Sequence, residues 1–262
     1  MAAYYTTRCL REQAEAFHRI KDEIQVCAQR WLKEKVGDPR LYAYVEPRDP
    51  SELASHSYYG NLHPMPKFYT FYVGHDPVSS RVADPKDVDI TDWLRKAVMV
   101  YNDCRDSCYV HWDLVHNLLK HDRDVQKIEW CRASIRPRMV LFDSRSIGSE
   151  KVYKHDFLRI YTRTGLVLVL DVTGWQFGFS TWLYTWQEYE SSYIDKNYTV
   201  EVLDPAKEQD SYFLEAWIDS EREKLYTMRY HLGRLDHEGI LDLKEEYKDV
   251  DVEGNKSPWC WT

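Results

Sequence analysis

Two apolar stretches, Val152–Thr162 and Leu166–Val172, are separated by only Arg163-Thr164-Gly165. A link that short leaves room for little besides an antiparallel hairpin. A three-residue hairpin loop favours positive φ at its last position, and Gly165 stands there. The loop then pairs Thr162 with Leu166, and the register propagates until Phe157 faces Asp171 and His155 faces Thr173. Side chains alternate across a strand with period two. His155 and Asp171 therefore fall on one face as diagonal neighbours, about 7–8 Å apart and within side-chain reach. A two-residue loop would put them on opposite faces.

Other elements follow from periodicity. An apolar stripe of Leu10, Ala14, Phe17, Ile20, Ile24, Cys27 and Trp31 predicts a core-packing helix from about Thr7 to Lys35, stopped by Gly37-Asp38-Pro39. Leu41–Ile90 is loop-rich, with short strands at Leu41–Val45 and Lys67–Val73 and a long loop or lid at Asp76–Asp89. A helix is expected over Asp92–Tyr101, capped by Thr91 or Asp89, and a second over Cys108–Lys120 after a turn-rich segment. Strands then dominate, at Gln126–Ile135, Arg138–Phe142 and the hairpin. Helices return at Thr185–Tyr193 and Ser211–Leu232, and a charged tail from Asp236 ends in Trp259-Cys260-Trp261. Helices, then a strand cluster, then helices reads as an α+β fold, with an antiparallel sheet packed against the Cys108 helix. The 262 residues are read as one domain, with a loop-rich part over 1–90, a core over 91–178 and a helical part over 179–262.

Composition limits function. A net charge of −8 argues against a partner whose phosphates need a basic surface, and against anionic membranes. No apolar run of about 18 residues occurs. The start of the chain, Met1–Ile20, is polar and does not read as an export signal. The expectation is a cytoplasmic protein with reduced thiols, which leaves the Asn197-Tyr198-Thr199 sequon without use. No Gly-rich phosphate loop or metalloprotease helix is present. Cys104, Cys108, His111 and His116 lie close in sequence, but no single helix presents all four to a zinc ion. No cofactor or metal is expected.

The chemistry points to the hairpin. Asp171 ends the apolar strand Leu166–Leu170, where an ionised carboxylate is costly unless paired or hydrogen-bonded. An imidazole is a fitting partner, and such a pair fixes the ring's tautomer and orientation. A nucleophile would complete the set. Cys108, read at a helix start, has the helix dipole to favour its thiolate and a backbone N–H to offer an oxyanion. Cys104 is the alternative nucleophile, and the two exchange roles if the helix begins earlier. The aromatic run Trp175–Trp186 reads as core more than pocket wall.

The segments His155-Asp156-Phe157-Leu158-Arg159 and Leu170-Asp171-Val172-Thr173-Gly174-Trp175-Gln176-Phe177-Gly178 resemble the histidine strand and aspartate strand of transglutaminase-like, papain-type cysteine proteins. Ser107-Cys108, with Trp112, Val115, Leu118 and Leu119, resembles their cysteine helix, although no Gly precedes the cysteine. The likeness covers roughly Thr91–Gly178. It implies that Cys108 attacks an amide or ester carbonyl, that His155 acts as base and then acid, and that Asp171 orients it. Gln176 or Trp175 would help hold the oxyanion or substrate. The expected function is acyl transfer on a small molecule or peptide, by hydrolysis or by amide formation. An activated aminoacyl donor such as aminoacyl-tRNA is the one nucleic-acid partner this allows. The competing class is a binding module that keeps the fold without the chemistry, to which the missing Gly and the many Trp and Tyr residues lend support. Oligomeric state does not follow from the sequence.

Overall fold

The computed structural model describes residues 2–34, 44–52, 64–72, 91–144, 154–197, 199–216 and 220–252. The Gly37-Asp38-Pro39 stop, the Asp76–Asp89 loop, Tyr198 of the sequon and the Trp259-Cys260-Trp261 tail lie outside these residues. The helical periodicity near the start produces α1 (Ala2–Lys33). Its stripe is buried from Ile20 onward, where Ile20, Ile24, Cys27 and Trp31 enter the core, whereas Leu10 is 61% exposed, Ala14 is exposed and Phe17 is partly buried. The earlier turns reach instead toward the hairpin, where Gln13 Nε2 donates to the Thr164 carbonyl at 3.0 Å. Among the described residues no helix is long and apolar enough to cross a membrane.

Three strands form a small sheet: β1 (Tyr44–Arg48), β2 (Lys67–Tyr72) and β4 (Met139–Asp143), with β1–β2 antiparallel and β2–β4 parallel. The larger sheet is antiparallel throughout. It combines β3 (Val125–Ser134), β5 (Lys154–Thr162), β6 (Val167–Leu170), β7 (Leu183–Thr185) and β8 (Glu201–Val202) in the order β7-β6-β5-β3-β8. The fold is thus mixed α and β with antiparallel pairing predominant, and the one parallel pair, β2–β4, is an addition to the expectation.

Two-residue alternation gives the large sheet two buried faces. Trp130, Leu158, Ile160, Leu168 and Leu170 belong to one apolar cluster, shared with α1, α2 (Asp92–Met99) and α3 (Cys104–Leu119). The residues between them, Cys131, Ala133, Phe157 and Val169, belong to a second cluster, covered by Phe177, Phe179 and the tyrosines of α4 (Trp186–Tyr193). α4 starts on a reciprocal capping box between Thr185 and Glu188.

Two expectations need correction. The segment read as one helix over Ser211–Leu232 is two, α5 (Pro205–Ala216) and α6 (Ser220–Leu232). The apolar spacing runs through the break with no Gly or Pro to mark it, so periodicity gives no stop. The charged tail contains α7 (His237–Tyr247), whose N-cap Asp236 accepts from Gly239 N at 2.9 Å. Only Ile240 and Tyr247 of this helix are buried, too few to stand out among its charges.

The hairpin register is the one the loop length dictates: Tyr161 pairs with Val167, Ile160 with Leu168 and Leu158 with Leu170. Gly165 has φ +80°, and a Cβ added there would meet only Gln13 Nε2, at 3.9 Å. Space is therefore not the constraint; backbone conformation is. Gly165→Ala is expected to cost about 1 kcal/mol in equilibrium denaturation with the slope unchanged, the penalty of left-handed backbone alone.

Candidate functional site: a buried histidine–aspartate pair at a helix start

The register delivers His155 and Asp171 to the same face, and they bond directly. His155 Nε2 lies 2.8 Å from Asp171 Oδ2, with both side chains sealed from solvent. Asp171 sits one residue past β6, and its backbone N–H donates to the Trp182 carbonyl at 2.8 Å, which extends the strand line. The same Oδ2 accepts from Tyr189 Oη at 2.9 Å, and Oδ1 accepts from Thr173 N at 3.2 Å. A carboxylate in an apolar interior is tolerable when its lone pairs are used in this way. The ring is walled by aromatics, with Phe177 edge-on at 4.8 Å and Phe179 beyond it at 6.2 Å.

Burial by itself would lower the basicity of His155. The Asp171 charge and hydrogen bond, with Cys104 adding to both effects, outweigh it and raise the imidazole to about 10. With Nε2 engaged by Asp171, Nδ1 is the free ring nitrogen; it is buried and has no hydrogen-bond partner among the described residues.

The helix carrying the cysteines begins at Cys104, not at Cys108. Cys104 thus occupies the helix N-terminus and is partly exposed, whereas Cys108 lies one turn inside and is buried. Burial pushes the Cys108 thiol far up, with the negative groups Asp156, Cys104 and Asp171 adding to the effect. The requirements placed on the nucleophile, a helix start and access, are met at Cys104. The turn before it is held from the hairpin side, since Gln176 Oε1 accepts from Asn102 N at 2.8 Å. Asn102 has φ +63°, the one left-handed residue other than Gly among the described residues. Gln176 Nε2 is buried with no partner among them. Trp175 belongs to the core, with Lys96 Nζ 5.8 Å above its ring.

Asp156, next to His155 but on the opposite face, is fully occupied by Arg132, at 2.6 and 2.8 Å, and by Trp130 Nε1, at 2.9 Å. The two remaining members of the zinc reading face elsewhere: His111 Nδ1 bonds the Ser107 carbonyl inside the core, and His116 Nδ1 the Trp112 carbonyl at the surface. Among the described residues, no three His, Cys, Asp or Glu side chains gather as metal ligands.

Two contributors escaped the sequence reading. Tyr189 is identifiable only once α4 is known to pack its inner face on Asp171. Gly174 is the other: a Cβ there would come within 2.7 Å of Asp171 Oδ2 and of Phe179 Cδ2. No family model, curated protein or solved structure matches the chain, so the functional reading rests on this geometry.

The imidazolium–carboxylate pair has a defined pH signature. A histidine raised in the folded state contributes stability in full below its unfolded value, about 6.5, and loses it as pH rises through about 10. By NMR the His155 ring is expected to titrate far above 6.5 in the wild type. In Asp171→Asn it should fall well below the wild-type value, because the carboxylate charge that outweighs burial is gone. Gly174→Ala should shift the His155 titration in the same direction by displacing the carboxylate, with the hairpin cross-strand contacts retained.

Proposed function

We propose that the chain is a cysteine-dependent acyl-transfer enzyme that works through an acyl-thioester, with Cys104 as nucleophile, His155 as proton carrier and Asp171 as the group that orients and charges it. The reading is carried by one observation: a fully buried histidine bonded to a fully buried aspartate at 2.8 Å, in a fold that also places a partly exposed cysteine at the start of α3. A cationic imidazole beside a thiol favours the thiolate.

In the proposed reaction the Cys104 sulfur attacks an amide or ester carbonyl and forms a C–S bond, and the carbonyl π electrons move onto oxygen. Collapse of the tetrahedral adduct breaks the bond to the amine or alkoxide, which leaves with the proton held by His155. Water or an amine then attacks the thioester, giving its proton to His155, and sulfur departs as thiolate. Asp171 remains ionised throughout and holds the ring in one orientation. The Cys104 and Arg105 backbone N–H groups, at the first turn of α3, are free of helical partners and serve the oxyanion. Gln176, whose Nε2 is otherwise unused, is the side chain that supports it. A transglutaminase-like core, with substrate drawn from small molecules or peptides, fits this order of nucleophile, base and acid along the chain.

Iodoacetamide at mildly acidic pH tests the assignment. Cys104 is expected to be alkylated at least tenfold faster than Cys108, and His155→Ala should slow the Cys104 reaction at least tenfold while leaving that of buried Cys108 unchanged. Cys104→Ser should lose reactivity toward a p-nitrophenyl ester while Cys108→Ser retains it. Equal, slow labelling of both thiols in the folded wild type would refute the proposal.

A further inference from the structure

The helix that starts at Cys104 ends at a second cavity. α3 spans 16 residues, so its far end is roughly 20 Å from the thiol at 1.5 Å per residue. There a cavity of about 600 Å³ opens between the end of α3, α1 and the first half of α7. That volume suits a small organic ligand.

Its walls are mixed in a specific way. Leu118 and Ile240 form an apolar floor, and Leu241, 51% exposed, extends it at the rim. The two carboxylates present are already committed: Asp122 accepts from Arg19 Nε at 2.8 Å, and Glu23 from Lys244 Nζ at 2.6 Å. Lys120, His121, Arg123 and His237 also line the cavity, are exposed, and have no hydrogen-bond or ion-pair partner among the described residues. The first turn of α7, at His237, adds the positive end of an 11-residue helix. In a chain with net charge −8, a pocket whose anions are neutralised and whose cations are free is a local reversal of sign. Cations near the end of α3 gain something from its dipole, but that accounts for Lys120 and His121 alone. Arg123 lies in the turn just past α3, and His237, at the start of α7, brings a cation from a distant part of the chain to the same space.

The geometry points to this cavity as a binding site for an amphipathic organic anion: a sulfonate, carboxylate or phosphate head held by Lys120 and Arg123, with an apolar body on Leu118, Ile240 and Leu241. The site stands independently of the chemistry proposed for Cys104.

The probe is 8-anilinonaphthalene-1-sulfonate, titrated by fluorescence into the full chain, with uncharged N-phenyl-1-naphthylamine as control. The double variant Lys120→Ala/Arg123→Ala alters exposed side chains that make no internal bond. Its affinity for the sulfonate is expected to fall at least tenfold, with that for the uncharged dye changed less than twofold. Leu241→Asp should weaken both dyes, and Cys104→Ser neither. Absence of sulfonate binding to the wild type overturns the site. Equal sulfonate affinity in the wild type and double variant, or an equal loss for both dyes, does so too.

Discussion

Burying an ionised carboxylate beside an imidazole is the constraint around which this fold is arranged. Desolvating either charge alone costs several kcal/mol, and only good geometry with further hydrogen bonds offsets that. Asp171 obtains the geometry from three sources. The hairpin register brings His155 to it, the 3-10 turn Gly174–Phe177 lies close against it because residue 174 has no Cβ, and α4 delivers the Tyr189 hydroxyl. The α4 capping box fixes where that helix begins and so which of its residues faces inward. The aromatic shell then keeps water from the ring. Removing any one of these leaves a charge without its partner, which is why the arrangement is cooperative rather than additive.

The same short stretch of chain also anchors the turn that leads into α3 and Cys104. Asp171 and Gln176 are five residues apart, and each holds one half of the site: Asp171 the histidine, Gln176 the turn at Asn102 that precedes α3. A non-glycine residue in the left-handed region is held there only when its surroundings fix it, and the Gln176 bond is one such anchor. Histidine strand, aspartate turn and cysteine helix therefore form one mechanical unit, although some fifty residues of sequence separate Cys104 from His155. Farther along the α3 surface, Arg105 with Glu208 and Arg222 with Asp106 tie α5 and α6 to its first turn.

What could be read from sequence was whatever local rules decide. The hairpin was legible because loop length and one glycine set its register. The His155–Asp171 pairing followed from a period of two. The helices were legible where an apolar face repeats, and the aromatic residues Trp175, Phe177, Phe179, Trp182 and Tyr184 lie in the core, with Trp186 partly buried against it. The break between α5 and α6 and the short apolar face of α7 were not, since each depends on contacts with distant parts of the chain. The start of α3 was misplaced for a related reason. Asn102-Asp103-Cys104-Arg105-Asp106-Ser107 is rich in residues that favour turns, and Asp103 makes no side-chain cap. The helix nevertheless extends through them, because the salt bridges of Arg105 and Asp106 to α5 and α6 reward helical geometry there, and tertiary contact overrides weak propensity.

That one-turn error matters because Cys104 and Cys108 are near-equivalent in sequence. Residues four apart on a helix lie one above the other on the same face, so pattern cannot separate them; environment does. At Cys108 the thiol is enclosed by the apolar cluster and faces the fields of Asp156 and Asp171, both of which oppose a second negative charge. Cys104 is partly exposed and sits at the first turn of α3, where backbone N–H groups lack helical partners. Moving a thiol by one turn, about 5.4 Å, thus takes it from the apolar interior, where burial holds it neutral, to a partly exposed position at the helix start. Which cysteine stands at the surface and which in the core depends on which turn of α3 meets β5, and that is settled by packing at both faces of the sheet rather than by any motif around the cysteine.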